Sequence, residues 1–144
     1  MARYVVYTDG GSRGNPGPAG AGAIVLDESD RELAAVARPL GRMTNNQAEY
    51  WAVIFAFERL LEIVAEVRDV QPVVQHYLDS QLIAEQLAGR YKMKNPGLKP
   101  LFERVRALID QLGGVVTSTH IPRAKNARAD ALANQAMDEQ EEAN

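Results

Sequence analysis

The sequence predicts an α/β fold: a five-stranded mixed sheet with helices on both faces. Three observations carry that expectation. Across residues 44–65, Val53, Ala56, Phe57, Leu60, Leu61 and Val64 recur at helical spacing. Short runs rich in Val and Tyr read as strands. Gly and Pro clusters separate the two kinds of segment. The resulting order, βββαβααβα, implies a mixed sheet covered by helices.

Residues 3–8 read as the first strand. Residues 10–20 hold five glycines and two prolines and read as a loop. Residues 21–26 and 32–38 make a hairpin about the polar turn at 27–30. Residues 44–65 form the long helix. Pro72 opens a fourth strand at 73–78, and a short helix over 80–87 ends near Gly89. A helix over 98–112 is stopped by Gly113 and Gly114, and a fifth strand covers 115–120. Asn126 is placed to cap a last helix over 127–137. Residues 1–137 are expected to form one domain, and the acidic residues 138–144 a frayed tail. There are no repeats, linkers or low-complexity segments.

A chain of 144 residues suits a single core. No apolar run approaches the ~20 residues that a membrane helix needs, so a membrane partner is not expected. The N-terminus has no signal-peptide apolar region. The absence of cysteine excludes disulfides, thiolate zinc sites and thiol nucleophiles, and it suits a cytoplasmic location. The net charge of −3 argues at first against a nucleic-acid partner. Four of the acids, Asp138, Glu139, Glu141 and Glu142, lie at the extreme C-terminus, and without them 16 basic residues face 15 acidic ones. If four further carboxylates hold metal ions, the remaining body carries about +5, enough to hold phosphates.

Four acids lie where they can converge. Asp9 ends the first strand as read, and Asp79 ends the fourth. If those strands are parallel neighbours, both carboxylates open onto one sheet edge, where α/β sheets usually place ligands. Glu49 precedes Val53 by one helical turn, so it shares the apolar stripe and faces the sheet. Asp130 sits in the first turn of the last helix. Crowded carboxylates repel, and burial raises the cost of their charge. Divalent cations relieve both, and an oxygen-only set selects Mg²⁺ or Mn²⁺ over Zn²⁺. Two such ions, roughly 3.5–4 Å apart, suit phosphodiester hydrolysis. Taken singly, each acid also fits a plainer role: Asp9 a turn residue, Asp79 an N-cap, Asp130 a partner of the helix dipole. Glu49 has the least room for one, because a carboxylate on an apolar stripe needs a partner.

The segments Tyr7-Thr8-Asp9-Gly10-Gly11-Ser12, Thr44-Asn45-Asn46-Gln47-Ala48-Glu49 and Leu78-Asp79-Ser80 stand in the order found in ribonuclease H of type 1. So do Ile121-Pro122-Arg123, Asn126 and Ala129-Asp130-Ala131-Leu132-Ala133. Each piece is weak alone, and the ordered set is specific. The chain therefore resembles that family across residues 3–137. The resemblance implies a ribonuclease H-like fold and hydrolysis of the RNA strand of RNA–DNA hybrids, leaving 3′-hydroxyl and 5′-phosphate ends. It implies two Mg²⁺ ions, or Mn²⁺, held by Asp9, Glu49, Asp79 and Asp130 with Gly10, in a monomeric enzyme. It assigns Gly11, Ser12, Asn15, Asn45 and Asn46 to nucleic-acid binding, with the three asparagines at RNA 2′-hydroxyls. Amides both donate and accept, and the 2′-hydroxyl is what separates RNA from DNA. It assigns Arg42, Thr44 and Asn95 to a DNA-strand phosphate.

Two departures mark a prokaryotic, short-loop subgroup lacking the family's basic protrusion. Only residues 89–96 stand in place of an inserted basic helix, with Tyr91 in place of a tryptophan. Arg90, Lys92, Lys94 and Lys99 supply reduced basic character there, or Lys92 and Lys94 form an ordinary solvated face. The segment 123–126 is short and has no histidine, which leaves Arg123 as the stand-in for leaving-group handling or product release. His76, His120 and Trp51 read as structural residues. The 10–20 segment lacks the Gly-Lys-Ser/Thr ending of a Walker loop. Three other readings stay open: a hybrid-binding module without cleavage, a DNA-directed nuclease or transferase of the same broad fold, and a purely structural α/β domain.

Overall fold

Glycine is a poor strand former when judged alone, because it has no side chain to pack. Cross-strand pairing overrides that weakness in residues 10–20 of this chain. In the computed structural model, which describes residues 2–143, β1 runs from Arg3 to Ser12 and β2 from Gly17 to Leu26. Gly10, Gly11 and Ser12 pair with Ala21, Gly20 and Ala19, so the expected loop is mostly hairpin. The third strand, β3, is likewise longer than expected, Glu32–Met43, because its ladder with β2 continues to Gly17 opposite Met43.

The remaining elements follow their sequence signals closely. The long helix α1 spans Asn45–Glu66 behind a capping box, in which Thr44 and Gln47 each accept from the other's backbone N–H. Strand β4 covers Val73–Leu78, and the short helix α2 covers Gln81–Leu87, with the Ser80 hydroxyl accepting from Ile83 N. Helix α3 covers Lys99–Leu112 and stops at Gly113, whose φ of 74° lies in the left-handed region. Strand β5 covers Val115–His120, and a single 3-10 turn, Arg123–Lys125, leads into α4, Ala127–Ala143.

The helix expected to end at 137 thus continues through the residues read as a separate acidic tail. Long-range partners meet that extension. Arg13 forms ion pairs with Asp138 at 2.5 Å and Glu141 at 3.3 Å, and Gly41 N donates to Gln140 Oε1 at 2.7 Å.

The five strands form one sheet in the order β3-β2-β1-β4-β5. β1, β2 and β3 are antiparallel neighbours, while β4 runs parallel to β1 and to β5. One face carries Tyr4, Val6, Val25, Val74 and Leu78 into a core with Tyr50, Val53, Phe57 and Leu60 of α1 and Val105 and Leu108 of α3. Burying each large apolar side chain stabilises the fold by about 1.5–3 kcal/mol. The opposite face is covered by α4, which approaches Gly20 and Gly22 of β2. Helices therefore lie on both faces, as expected. Among the described residues, no helix is long and apolar enough to cross a membrane.

Candidate active site

The site begins where one ladder ends. β1 and β4 pair from Arg3 opposite Val73 to Thr8 opposite Leu78. The next residue of each chain segment is an aspartate, so Asp9 and Asp79 leave side by side. Asp9 does not end its strand as expected; β1 continues, and Asp9 pairs with Gly22 of β2. Only its parallel neighbour stops there.

Two missing side chains bring the helices to this point. A Cβ on Gly10 would lie 2.3 Å from Ala48 O and 2.6 Å from Glu49 N, so the bare backbone lets the first turns of α1 press onto β1. A Cβ on Gly22 would lie 2.3 Å from Ala129 O, so the same device admits the start of α4 opposite Asp9. Glu49 and Asp130 come from those two helices.

Asp9, Glu49 and Asp79 each offer an oxygen within 4.8 Å of the others. Glu49 Oε2 and Asp79 Oδ2 are buried without a hydrogen-bond partner, while Gly10 N donates to Asp9 Oδ1 at 3.0 Å. Burial, then the nearby Asp79 and Asp130, push the Asp9 carboxyl up to about 8. Burial pushes Glu49 up to about 7; the Ser80 hydroxyl opposes the shift, Asp79 adds to it and Arg123 opposes it. Crowded, desolvated and partly orphaned carboxylate oxygens with no nitrogen or sulfur donor among them fit a hard divalent cation.

Asp130, the fourth expected acid, stands at the rim rather than in this cluster. Its Oδ1 lies 3.5 Å from Arg123 Nη2, and it is close enough to Asp9 to raise that carboxyl. Arg123 is itself 80% exposed at the mouth of the cleft.

The cleft, about 510 Å³, is lined by Asp9, Gly10, Gly11, Ser12, Asn45, Glu49, Asp79 and Arg123 among the expected residues. A second hollow of about 270 Å³ gathers Asn15, Thr44, Asn46 and Asn95. Arg42 lines neither hollow and is exposed on β3. The amides are partly committed: Asn45 Oδ1 accepts from Ser12 N, Asn15 Oδ1 from Asn45 N, and Asn95 Oδ1 from Gly97 N. Thr44 Oγ1 accepts within its capping box, which leaves its O–H as a donor. Arg90, counted among the basic residues of the shortened connection, is held by Glu85 through two hydrogen bonds.

Sequence reasoning missed Arg13, Asn134 and Met137, which also line the cleft. Asn134 and Met137 lie one and two turns after Asp130, and that shared helix face was the available signal. Asn126 is not a side-chain cap. Its Nδ2 donates to Thr8 O at 2.9 Å, and its buried Oδ1 has no partner. It joins β1, one residue before Asp9, to the start of α4. His76 is structural, with Nε2 2.8 Å from Thr8 Oγ1 and Nδ1 2.9 Å from Ser118 Oγ; burial lowers its pKa to about 3. Trp51 packs against Phe55 at the core margin.

The chain is similar to known proteins over nearly its full length. A family model described as reverse transcriptase-like matches residues 7–136. A bifunctional protein of Mycobacterium tuberculosis is 41% identical over 137 residues, which cover 94% of this chain and 36% of that protein. The chain thus spans about a third of that relative's length. A ribonuclease H of Alcanivorax borkumensis is 31% identical over 148 residues, covering 96% of this chain and 94% of the relative. Among solved structures, a ribonuclease H1 isolated from compost, in complex with an RNA/DNA hybrid, superposes with a TM-score of 0.86 at 42% identity, covering 94% of this chain and 97% of that one. Shared sheet order, clustered acids and likeness along the whole sheet-and-helix frame agree: the chain belongs to the ribonuclease H family, in its type 1 branch.

Proposed function

We propose that the chain is an endonuclease that hydrolyses the RNA strand of RNA–DNA hybrids with two Mg²⁺ ions, leaving 3′-hydroxyl and 5′-phosphate ends. The convergence of Asp9, Glu49 and Asp79, with two buried carboxylate oxygens left unpartnered, carries this reading. The solved relative in complex with an RNA/DNA hybrid supports the substrate. Bound Mg²⁺, or Mn²⁺ in its place, would activate water and stabilise the leaving oxygen of a phosphodiester.

The protein's own part is binding and orientation. Asp9, Glu49 and Asp79 would hold the cations at the sheet edge, and Asp130 would complete the set from the rim. Gly10 lies against them. Asn15 and Asn45 spend their amide oxygens on backbone N–H groups, which leaves Nδ2 of each as a donor to a 2′-hydroxyl. Asn46 joins them, and Gly11 and Ser12 give the strand a close approach. Thr44, Asn95 and Arg42 serve a DNA-strand phosphate, Thr44 through its O–H and Arg42 through its exposed guanidinium. Arg123 handles the leaving group or product release.

The chain also fits the family's short-loop subgroup and a monomer. One 3-10 turn, Arg123–Lys125, separates β5 from α4, and only residues 88–98 separate α2 from α3.

Asp9→Asn tests the reading directly. The variant is expected to fold and to lose hybrid cleavage by about a hundredfold or more. Cleavage at the unmodified rate would refute the assignment.

A further inference from the structure

The last turns of α4 meet the end of β1 at the mouth of the cleft. Arg13 lines the cleft that holds Asp9, Glu49 and Asp79. Its Nη1 lies 2.5 Å from Asp138 and 3.3 Å from Glu141, and its Nη2 lies 3.3 Å from Asn134 Oδ1 and 3.4 Å from Asn134 O. A guanidinium is thus fixed in place beside the carboxylate cluster, with its present anions supplied by the chain itself.

Those anions are displaceable. The Asp138 and Glu141 side chains are 62% and 45% exposed. Ion pairs so open to water contribute little, because solvent screens them and the side chains give up entropy to form them. A backbone phosphodiester offers the same fork-to-oxygen geometry and the same single charge as one carboxylate, and it is held in register by the rest of the bound strand. A nucleic-acid backbone entering the cleft meets several carboxylates, and Arg13 is a cation that lines the same cleft.

We propose that Arg13 contacts a backbone phosphate of the strand lying in the cleft, and that Asp138 and Glu141 compete with that phosphate for it. The proposal rests on the hybrid-cleavage reading. It gives the acidic end of the chain a function, as an internal competitor that weakens substrate binding.

The test is steady-state cleavage of an RNA–DNA hybrid between 50 and 200 mM salt by the unmodified protein, R13Q, R13K, D138N/E141Q and the triple variant. R13Q is expected to raise KM about tenfold with kcat little changed, the low end of the effect of one charge-assisted bond. Its salt slope should fall by about one. R13K should recover part of the loss. D138N/E141Q should lower KM about two- to threefold, and should do so only when Arg13 is present.

An R13Q variant with unaltered KM and salt slope would overturn the proposal. So would D138N/E141Q acting equally with and without Arg13, since the tail would then act by its general field alone. If R13Q melts early, R13K and D138N/E141Q decide the matter. A protein that cuts no hybrid refutes the functional reading instead. The same variants are then compared by fluorescence anisotropy with labelled hybrid, where unaltered R13Q affinity, or no binding by any of them, overturns the role of Arg13.

Discussion

Asp9 shows what the site asks of single residues. Its carboxyl is held up to about 8, and that of Glu49 up to about 7, chiefly by burial. Both values lie above the unfolded values near 4, so the folded state holds these protons more tightly than the unfolded chain does. The sign follows: without metal, the stability these two groups contribute is full below about pH 4 and is lost as pH rises through 7 and 8. Cations that bind the folded state alone should offset the loss, and more so at pH 8 than at pH 5. In EDTA, the unmodified protein should therefore lose Tm relative to Asp9→Asn as pH is raised from 5 to 9. Mg²⁺ should raise the Tm of the unmodified protein and do much less for the variant. Parallel melting curves at every pH would contradict the burial and crowding of Asp9. The three clustered acids could be picked out in the sequence, Glu49 most plainly, because a carboxylate on an apolar stripe needs a partner to offset its burial. The division between the inner three and Asp130 at the rim was not legible, since it depends on where α4 begins relative to β1.

At the scale of elements, glycine explains both a failure and a success of reading. Residues 10–20 look like a loop because their composition is that of loops. They form strands because β1 and β2 pair through them and helices need their bare backbone. Gly22, just beyond that stretch in β2, shows the same need: any Cβ there meets Ala129 O at 2.3 Å and Ala133 N at 2.4 Å, both backbone atoms of α4. Gly22→Ala should destabilise the fold by about 1–3 kcal/mol, the usual range for overpacking, and should lower cleavage further by moving Asp130. Urea unfolding and hybrid cleavage measured on the same preparation check both effects. A variant as stable and as active as the unmodified protein would show that α4 does not rest on Gly22. The helices were more legible than the hairpin. Thr44 and Gln47 announce the start of α1, and Gly113 announces the end of α3, because caps are local chemistry. The length of α4 was not local. Its last turns pack beside Arg13 and Gly41, far away in sequence.

Across the whole molecule, the sheet order places four acids from four elements at one end of the fold. The core stands behind them, so the site is built on the packed part of the sheet. Phe57, wholly buried beside His76, is part of that support; Phe57→Ala should cost about 3–5 kcal/mol in chemical unfolding, and a loss under 1 kcal/mol would contradict its place in the core. The fold class was legible because element order and apolar periodicity constrain it strongly. The family was legible because its motifs fall in order along the chain. The cleft wall made by α4 was not, since it arises only when the helix docks on β2. The central claim is that this arrangement cuts RNA held against DNA. The most direct test is cleavage of an end-labelled RNA–DNA hybrid, beside duplex RNA and duplex DNA, with Mg²⁺, Mn²⁺ or EDTA. Cuts confined to the RNA strand of the hybrid, and lost in EDTA, are the expected result. A folded protein that leaves the hybrid intact with either metal, or that cuts duplex DNA as readily, would contradict it.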